Sequence, residues 1–231
     1  MQLNTGADAS VNANLVLPTA VVKTYLYTNT AWGDQLTSYD GHTITYDALG
    51  NPLTYYNGAS YTFTWDGRRM TSATKGGLTY TFTYNDEGLR TSKTVDGVTT
   101  YYYYEGTLLV AEQSELETIV YLYDSMGAPI GFRYRTPSYV ENVWDYYYEK
   151  NMQGDIVSVY NSEGVSLVSY VYTAWGDRAS TTYHHGGANT TVTNNPFTYR
   201  GYYYDRDLDL YYLQSRYYDS KVLGLLKGIQ E

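Results

Sequence analysis

Three aspartates at alternate positions, Asp205, Asp207 and Asp209, have a type and spacing that suggest chemistry, because alternating carboxylates open the loop of an EF-hand calcium site. That loop also requires glycine at its sixth position and glutamate at its twelfth. The chain places Leu210 and Arg216 there, so a solvated or Arg-paired turn is expected instead. His184 and His185 could form half of a metal site, but His42 is the only other histidine, and adjacent strand residues point to opposite faces. A polar loop is expected, with no metal and no cofactor. Tyrosine runs at 101–104, 146–148, 202–204 and 217–218 admit two readings. Exposed rings could stack on sugars or bases. Alternatively, consecutive rings serve both faces of a sheet, where an amphipathic side chain packs while its hydroxyl stays hydrogen-bonded.

The motifs of enzymes are missing. No Gly-x-Ser-x-Gly, His-Glu-x-x-His, phosphate-binding loop or dinucleotide fingerprint occurs. With no cysteine there is no thiol nucleophile, disulfide framework or cysteine-ligated zinc. The expectation is a chain without catalytic residues, and not an enzyme.

The elements that position these residues are strands. In Tyr61, Phe63 and Trp65 against Thr62 and Thr64, and again in Tyr80, Phe82 and Tyr84 against Thr79, Thr81 and Thr83, aromatic and hydroxyl side chains alternate with period two. Ile44 and Tyr46 against Thr43 and Thr45 form a third copy. Between such runs lie Asp40-Gly41, Asn57-Gly58, Asp66-Gly67, Asp96-Gly97 and Glu105-Gly106, dipeptides suited to hairpin tips. Asp86-Glu87-Gly88 and Ser162-Glu163-Gly164 are longer versions.

These pieces repeat. A unit of Tyr or Trp, a polar turn, Gly and a following strand recurs at Tyr27, Tyr46, Trp65, Tyr84, Tyr123 and Tyr172. The markers Gly33, Gly50, Gly67, Gly88, Gly106 and Gly127 are separated by 17, 17, 21, 18 and 21 residues. A period of about 20 implies stacked units, each too small to bury its own face, laid side by side as one antiparallel sheet.

Composition agrees. The 231 residues include 32 tyrosines among 40 aromatics, 21 glycines and a net charge of −9. That length suits one large all-β domain or two small ones. The acidic balance argues against nucleic acid as a partner. No run of about 18 apolar residues could span a membrane, and no signal peptide is visible.

The Tyr-Asp-x-x-Gly units resemble the YD repeat of the bacterial RHS family. The stretch from Asn195 to Asp205, with Leu210-Tyr211-Tyr212-Leu213-Gln214-Ser215-Arg216-Tyr217-Tyr218-Asp219, resembles that family's repeat-associated core domain, and the stretch from Tyr148 to Val157 is similar to part of the same consensus. The match runs from about residue 23 to 219. The resemblance implies YD hairpins wound into a hollow β-shell, capped by the core domain, with self-cleavage after the core and a C-terminal toxin held inside. It also matches Asp219 to one of two aspartates that carry that cleavage.

Departures follow Asp219 and Ser220. The family's Gly-Arg-Phe and second aspartate are replaced by residues 221–231, so Asp219 lacks its partner and no autoproteolysis is expected. A broken gene remnant is one account of this tail. The other is an evolved short form whose amphipathic end, with Val222, Leu225, Leu226 and Ile229 at helical spacing and Ser220 as N-cap, covers a sheet edge. Gly224 and Gly228 weaken that helix. Asp209 stands where the family has glycine.

The resulting expectation is an all-β, repeat-built antiparallel sheet of successive hairpins, a segment of a spiral β-shell with a short C-terminal helix as an option. Residues 1–22 form a loose N-terminal arm or partial repeat, 23–180 the YD repeats, 181–219 the core segment and 220–231 a divergent tail. The expected function is a non-catalytic fragment of a shell that encapsulates and helps deliver a toxin between competing bacteria. The alternative is a cell-surface glycan-binding or adhesion module using exposed tyrosines. Expected partners are upstream repeats or self-association through open sheet edges, and the toxin cargo of intact relatives. The expected location is outside the cell or on its surface, as part of a larger protein.

Overall fold

A computed structural model of the chain describes residues 22–137, 143–184, 195–214, 216–222 and 224–226. The N-terminal arm up to residue 21, His185 and most of the end of the tail lie outside the described residues.

Strands follow one another as the alternation predicts. A small sheet contains β1 (Tyr25–Leu26), β2 (Ser38–Tyr39) and β3 (His42–Thr43). Fourteen strands then pair in strict chain order: β4 (Thr45–Tyr46), β5 (Pro52–Tyr56), β6 (Ser60–Asp66), β7 (Arg69–Lys75), β8 (Leu78–Tyr84), β9 (Arg90–Val95) and β10 (Val98–Glu105), followed by β11 (Leu108–Gln113), β12 (Thr118–Tyr123), β13 (Pro129–Arg135), β14 (Trp144–Lys150), β15 (Ile156–Asn161), β16 (Ser166–Tyr172) and β17 (Arg178–Tyr183). A last sheet holds β18 (Tyr203–Asp205), β19 (Leu210–Tyr212), β20 (Tyr217–Asp219) and β21 (Gly224–Leu225). The Asp-Gly and Asn-Gly dipeptides sit at hairpin tips with positive φ, for example Asp96 at 51° and Gly97 at 80°.

One face of the long sheet is dry and the other wet. Tyr61, Phe63, Tyr80 and Phe82 are buried, while Thr62, Thr64, Thr79 and Thr81 are exposed. On the wet face hydroxyls pair across strands, as in Thr74 with Thr79 and Thr94 with Thr99. The tyrosine runs divide by the same rule, with Tyr102 and Tyr146 buried, Tyr101, Tyr103 and Tyr147 exposed.

The turns of the repeat share one geometry. Asp47, Asn85, Asp124, Asn151 and Asn161 each accept backbone N–H bonds on the side-chain Oδ1, and Gly50, Gly88, Gly127, Gly154 and Gly164, at φ between +77° and +86°, close each turn. Asx side chains and glycine are favoured at such positions for this reason. All seven hairpins on one rim, from β4–β5 through every second pair to β16–β17, carry a one-residue bulge; of the six on the opposite rim only β15–β16 does. Bulges bend a strand and increase its twist, so bulges gathered on one rim curl the sheet.

The repeat's aromatic residue secures that curl. Trp65 Nε1 donates to Pro52 O at 2.7 Å, Tyr84 Oη to Met70 O at 2.9 Å, Tyr104 Oη to Arg90 O at 3.0 Å, Tyr123 Oη to Leu109 O at 2.5 Å and Tyr172 Oη to Ile156 O at 2.7 Å. Each acceptor is the first or second residue of the outgoing, bulged strand of an earlier hairpin on the same rim. A bulge interrupts the ladder, and the next unit's ring supplies a donor there. Burial pushes the Tyr84 phenol up to about 12, so it stays a donor throughout the neutral range.

The described residues between 195 and 226 line the concave face. Leu208, Leu210, Tyr212, Tyr217, Val222 and Leu226 pack with Tyr61, Phe63 and Phe82, and Phe197 packs with Ile119, Tyr121 and Phe132. The short helix that the tail allowed does not form over the described residues. Gly224–Leu225 instead pairs with β20, and Val222 and Leu226 enter the core. A glycine-containing segment gains little as an isolated helix turn, whereas pairing here covers a strand edge.

Candidate functional site

Charged residues lie scattered in the sequence and converge where the lining segment meets the curled sheet. β9 presents Arg90 and Lys93 inward and β7 ends on Lys75. From the lining side, the turn between β18 and β19 presents Asp205, Asp207 and Asp209. Arg90 Nη1 donates to Asp205 Oδ2 at 2.8 Å, Lys93 Nζ bridges Asp205 Oδ1 at 3.0 Å and Asp207 Oδ2 at 2.7 Å, and Lys75 Nζ reaches Asp209 Oδ2 at 2.7 Å. Burial opposes ionisation of Asp205, yet Lys93 and Arg90 hold its carboxyl down at about 2. The three aspartates are thus paired by Arg and Lys. Asp209 takes φ 53°, and Tyr204 Oη also donates to it.

Arg90 itself is enclosed by rings, with its guanidinium 4.4 Å from the Tyr212 centroid and 4.7 Å from that of Tyr102. Beside it, Glu112 accepts from Tyr121 and from Tyr203 Oη. Burial pushes the Glu112 carboxyl up despite these two donors.

Asp219 occupies a second buried seat. Its Oδ2 accepts from Tyr55 Oη at 3.0 Å and Asn57 Nδ2 at 2.7 Å, and its Oδ1 from the Lys221 and Val222 amides. Burial raises its pKa, with Asn57, Lys221, Tyr55 and Val222 acting in the opposite direction. Its neighbour Tyr218 donates to Trp175 O at 2.8 Å, beyond β16. In a flat sheet β5 and β16 would stand about 50 Å apart at about 4.8 Å per strand. Two consecutive residues reach both, so the sheet wraps round its lining.

His184 lies in the described region, where its Nε2 is 3.0 Å from Ser169 Oγ. Among the described residues no group of three or more His, Asp or Glu side chains is arranged to hold a metal ion. No helix among them is long and apolar enough to cross a membrane. Sequence reasoning singled out the run containing Tyr203 but missed Arg90, Lys93 and Glu112; nothing in the local context of these three distinguishes a buried charge from a wet one.

No protein-family model matches the chain. Over 196 residues it is 34% identical to the tRNA3(Ser)-specific nuclease WapA of Bacillus spizizenii, a match covering 81% of this chain and 8% of the relative. The tRNA nuclease WapA of Bacillus subtilis matches with the same identity and coverage. The chain thus spans 8% of the length of these curated relatives. Among solved structures, a chain of TcdB2-TccC3-Cdc42 superposes with a TM-score of 0.62 at 18% identity over 89% of this chain and 12% of that one. A chain of the Photorhabdus luminescens Tc holotoxin pore does so at 0.58 and 16% identity, over 90% and 12%. The fold is therefore RHS-like, a segment of β-shell. The expectation that the chain is not an enzyme is corrected by the relatives, which are named as nucleases. Missing motifs and an acidic charge in a segment of this size do not describe the chemistry of proteins more than ten times longer.

Proposed function

We propose that the chain builds part of the wall of a closed β-shell in a longer, exported toxin whose activity is tRNA cleavage, the activity for which its sequence relatives are named. The observation that carries this reading is the fastening of residues 195–226 across the concave face, with Tyr218 and Asp219 tied to opposite ends of the sheet. A wall that curls round its own lining suits a container, and its fold is shared with chains of TccC3-containing complexes. Among the described residues β17 pairs only with β16, which leaves its other side as an edge of the long sheet. The reading assigns that edge to further repeats of the shell or to a second copy.

The test is to purify the protein at the full length of its reading frame and incubate it with total tRNA, before and after opening the shell by mild denaturation or proteolysis. Cleavage of a defined tRNA that rises on opening is the expected result. Intact tRNA in both states overturns the reading.

A further inference from the structure

The pentapeptide Thr-Ala-Trp-Gly-Asp occurs twice, at 30–34 and at 173–177. In the first copy the Trp32 ring lies over the β4–β5 turn and fills the place where a Cβ on Gly50 would stand. In the second, at the tip of β16–β17, the Trp175 ring is 55% exposed. Its backbone is nevertheless held, because Tyr199 Oη donates to Ala174 O at 3.0 Å and Tyr218 Oη to Trp175 O at 2.8 Å. A large aromatic side chain on a fixed tip has little order left to lose on binding, and it is the type that anchors interfaces.

Met126 and Met152, at the tips of β12–β13 and β14–β15 on the same bulged rim, are also exposed, Met126 at 92%. The opposite rim turns on pairs such as Asn57-Gly58, Gly76-Gly77 and Asp96-Gly97. Clefts lie between the apolar tips. One of about 340 Å³ separates the β10–β11 and β12–β13 turns, with Leu109, Gly127, Pro129 and Tyr202 among its mainly apolar walls. Another of about 460 Å³ separates the β14–β15 and β16–β17 turns, with Tyr172, Ala174 and Tyr199 among its walls. A Cβ on Gly127 would meet nothing within 4 Å, so this turn lacks the ring that covers Gly50.

Tips and clefts alternate with a repeat of two strand spacings, about 10 Å, which makes the rim complementary to itself. Two copies facing rim to rim about a two-fold axis, offset by half that repeat, bring Trp175 of each to the cleft beside Gly127 of the other. The same axis brings Met126 to the cleft between β14–β15 and β16–β17, so one operation fills both cavities. In such an isologous contact every pair occurs twice.

We propose that the bulged rim over β10–β17 is the contact surface for a second copy of this chain, with Trp175 of each copy packed on the Gly127 turn of the other. A lipid surface would also accept exposed Trp and Met side chains, but it has no tips to fill the clefts, and Trp32 on Gly50 provides the precedent for a rim turn as the ring's seat. The contact needs only the described fold and holds whether or not the longer protein cleaves tRNA.

The test is analytical sedimentation of the 231-residue chain at up to about 500 µM, a range that registers even weak association. A reversible dimer is expected, tightening as salt screens the repulsion between two copies of charge −9. Trp175→Ala should weaken it at least about thirtyfold, as loss of a central aromatic anchor does, and Met126→Ser should weaken it less. Leu116→Ser, at an exposed tip of the opposite rim, should leave it unchanged, and circular dichroism should be the same for all three variants. Because the chain has no cysteine, Ala174→Cys and Thr107→Cys report the register: mixed under oxidised glutathione they should join as a disulfide, and neither should do so alone. The proposal is overturned by a monomer throughout that range, by a dimer that keeps its affinity in Trp175→Ala, or by failure of the mixed disulfide. Co-sedimentation with phosphatidylcholine vesicles that Trp175→Ala abolishes would assign the tips to a membrane and overturn it as well.

Discussion

Arg90 and Asp205, 115 residues apart, meet at 2.8 Å with side chains 1% and 0% exposed, and this pair joins the shell wall to its lining. A buried pair draws little net stability from its own attraction, but removing one partner leaves the other uncompensated, at about 3–5 kcal/mol. Asp205→Asn should therefore lower unfolding free energy by about that amount in urea denaturation. A loss below about 1 kcal/mol would show that Lys93 and Arg90 find other partners.

Acid should loosen the same seam. Asp205 is held at about 2 in the folded protein against about 3.9 in an unfolded chain. A depressed carboxyl contributes stability that is complete above the unfolded value and is lost as pH falls through the folded one. About 2–3 kcal/mol should disappear between about pH 5 and pH 1. Urea midpoints measured across that window check this, and Asp205→Asn should flatten the limb.

Glu112 and Asp219 have the opposite sign, because burial raises both. The unfolded chain releases these protons first, so each subtracts stability as pH rises above the ordinary carboxylate range. Glu112→Gln removes one such charge and leaves an acceptor for Tyr203. Its urea midpoint should exceed that of the parent near neutral pH and converge with it in acid. A lower midpoint at neutral pH would mean that the ionised carboxylate is itself stabilising.

The aromatic ties to bulged strands can be tested one hydroxyl at a time. Tyr84→Phe deletes the donor to Met70 O at 2.9 Å and keeps the ring. It should cost about 0.5–1.5 kcal/mol, while Tyr101→Phe on the wet face should stay within about 0.5 kcal/mol. Equal effects at the two positions would remove any special role for the tie.

Two glycines separate strain from crowding. Gly164 and Gly176 lie at φ +77° and +86°, but a Cβ on Gly164 would meet nothing within 4 Å whereas one on Gly176 would lie 2.4 Å from the Tyr199 ring. Gly164→Ala should cost about 1–2 kcal/mol from the left-handed backbone alone. Gly176→Ala should add about 1–3 kcal/mol for overpacking, and thermal unfolding of both variants checks the order.

Alternation of aromatic and threonine residues, together with Asp-Gly and Asn-Gly tips, was enough to read the succession of hairpins from the sequence. Both signals are local: strand faces follow from period two, and a positive φ is demanded by one or two adjacent residues. The same local logic went wrong at the tail, where helical spacing of Val222, Leu225 and Leu226 lost to an unpaired edge on β20. Only the tertiary structure decided that bulges gather on one rim and curl the sheet, that Tyr84 reaches a carbonyl 14 residues back, and that Arg90 finds Asp205 inside. Those contacts gain their strength from water being excluded between segments far apart in the chain, a condition that no local pattern of residues specifies.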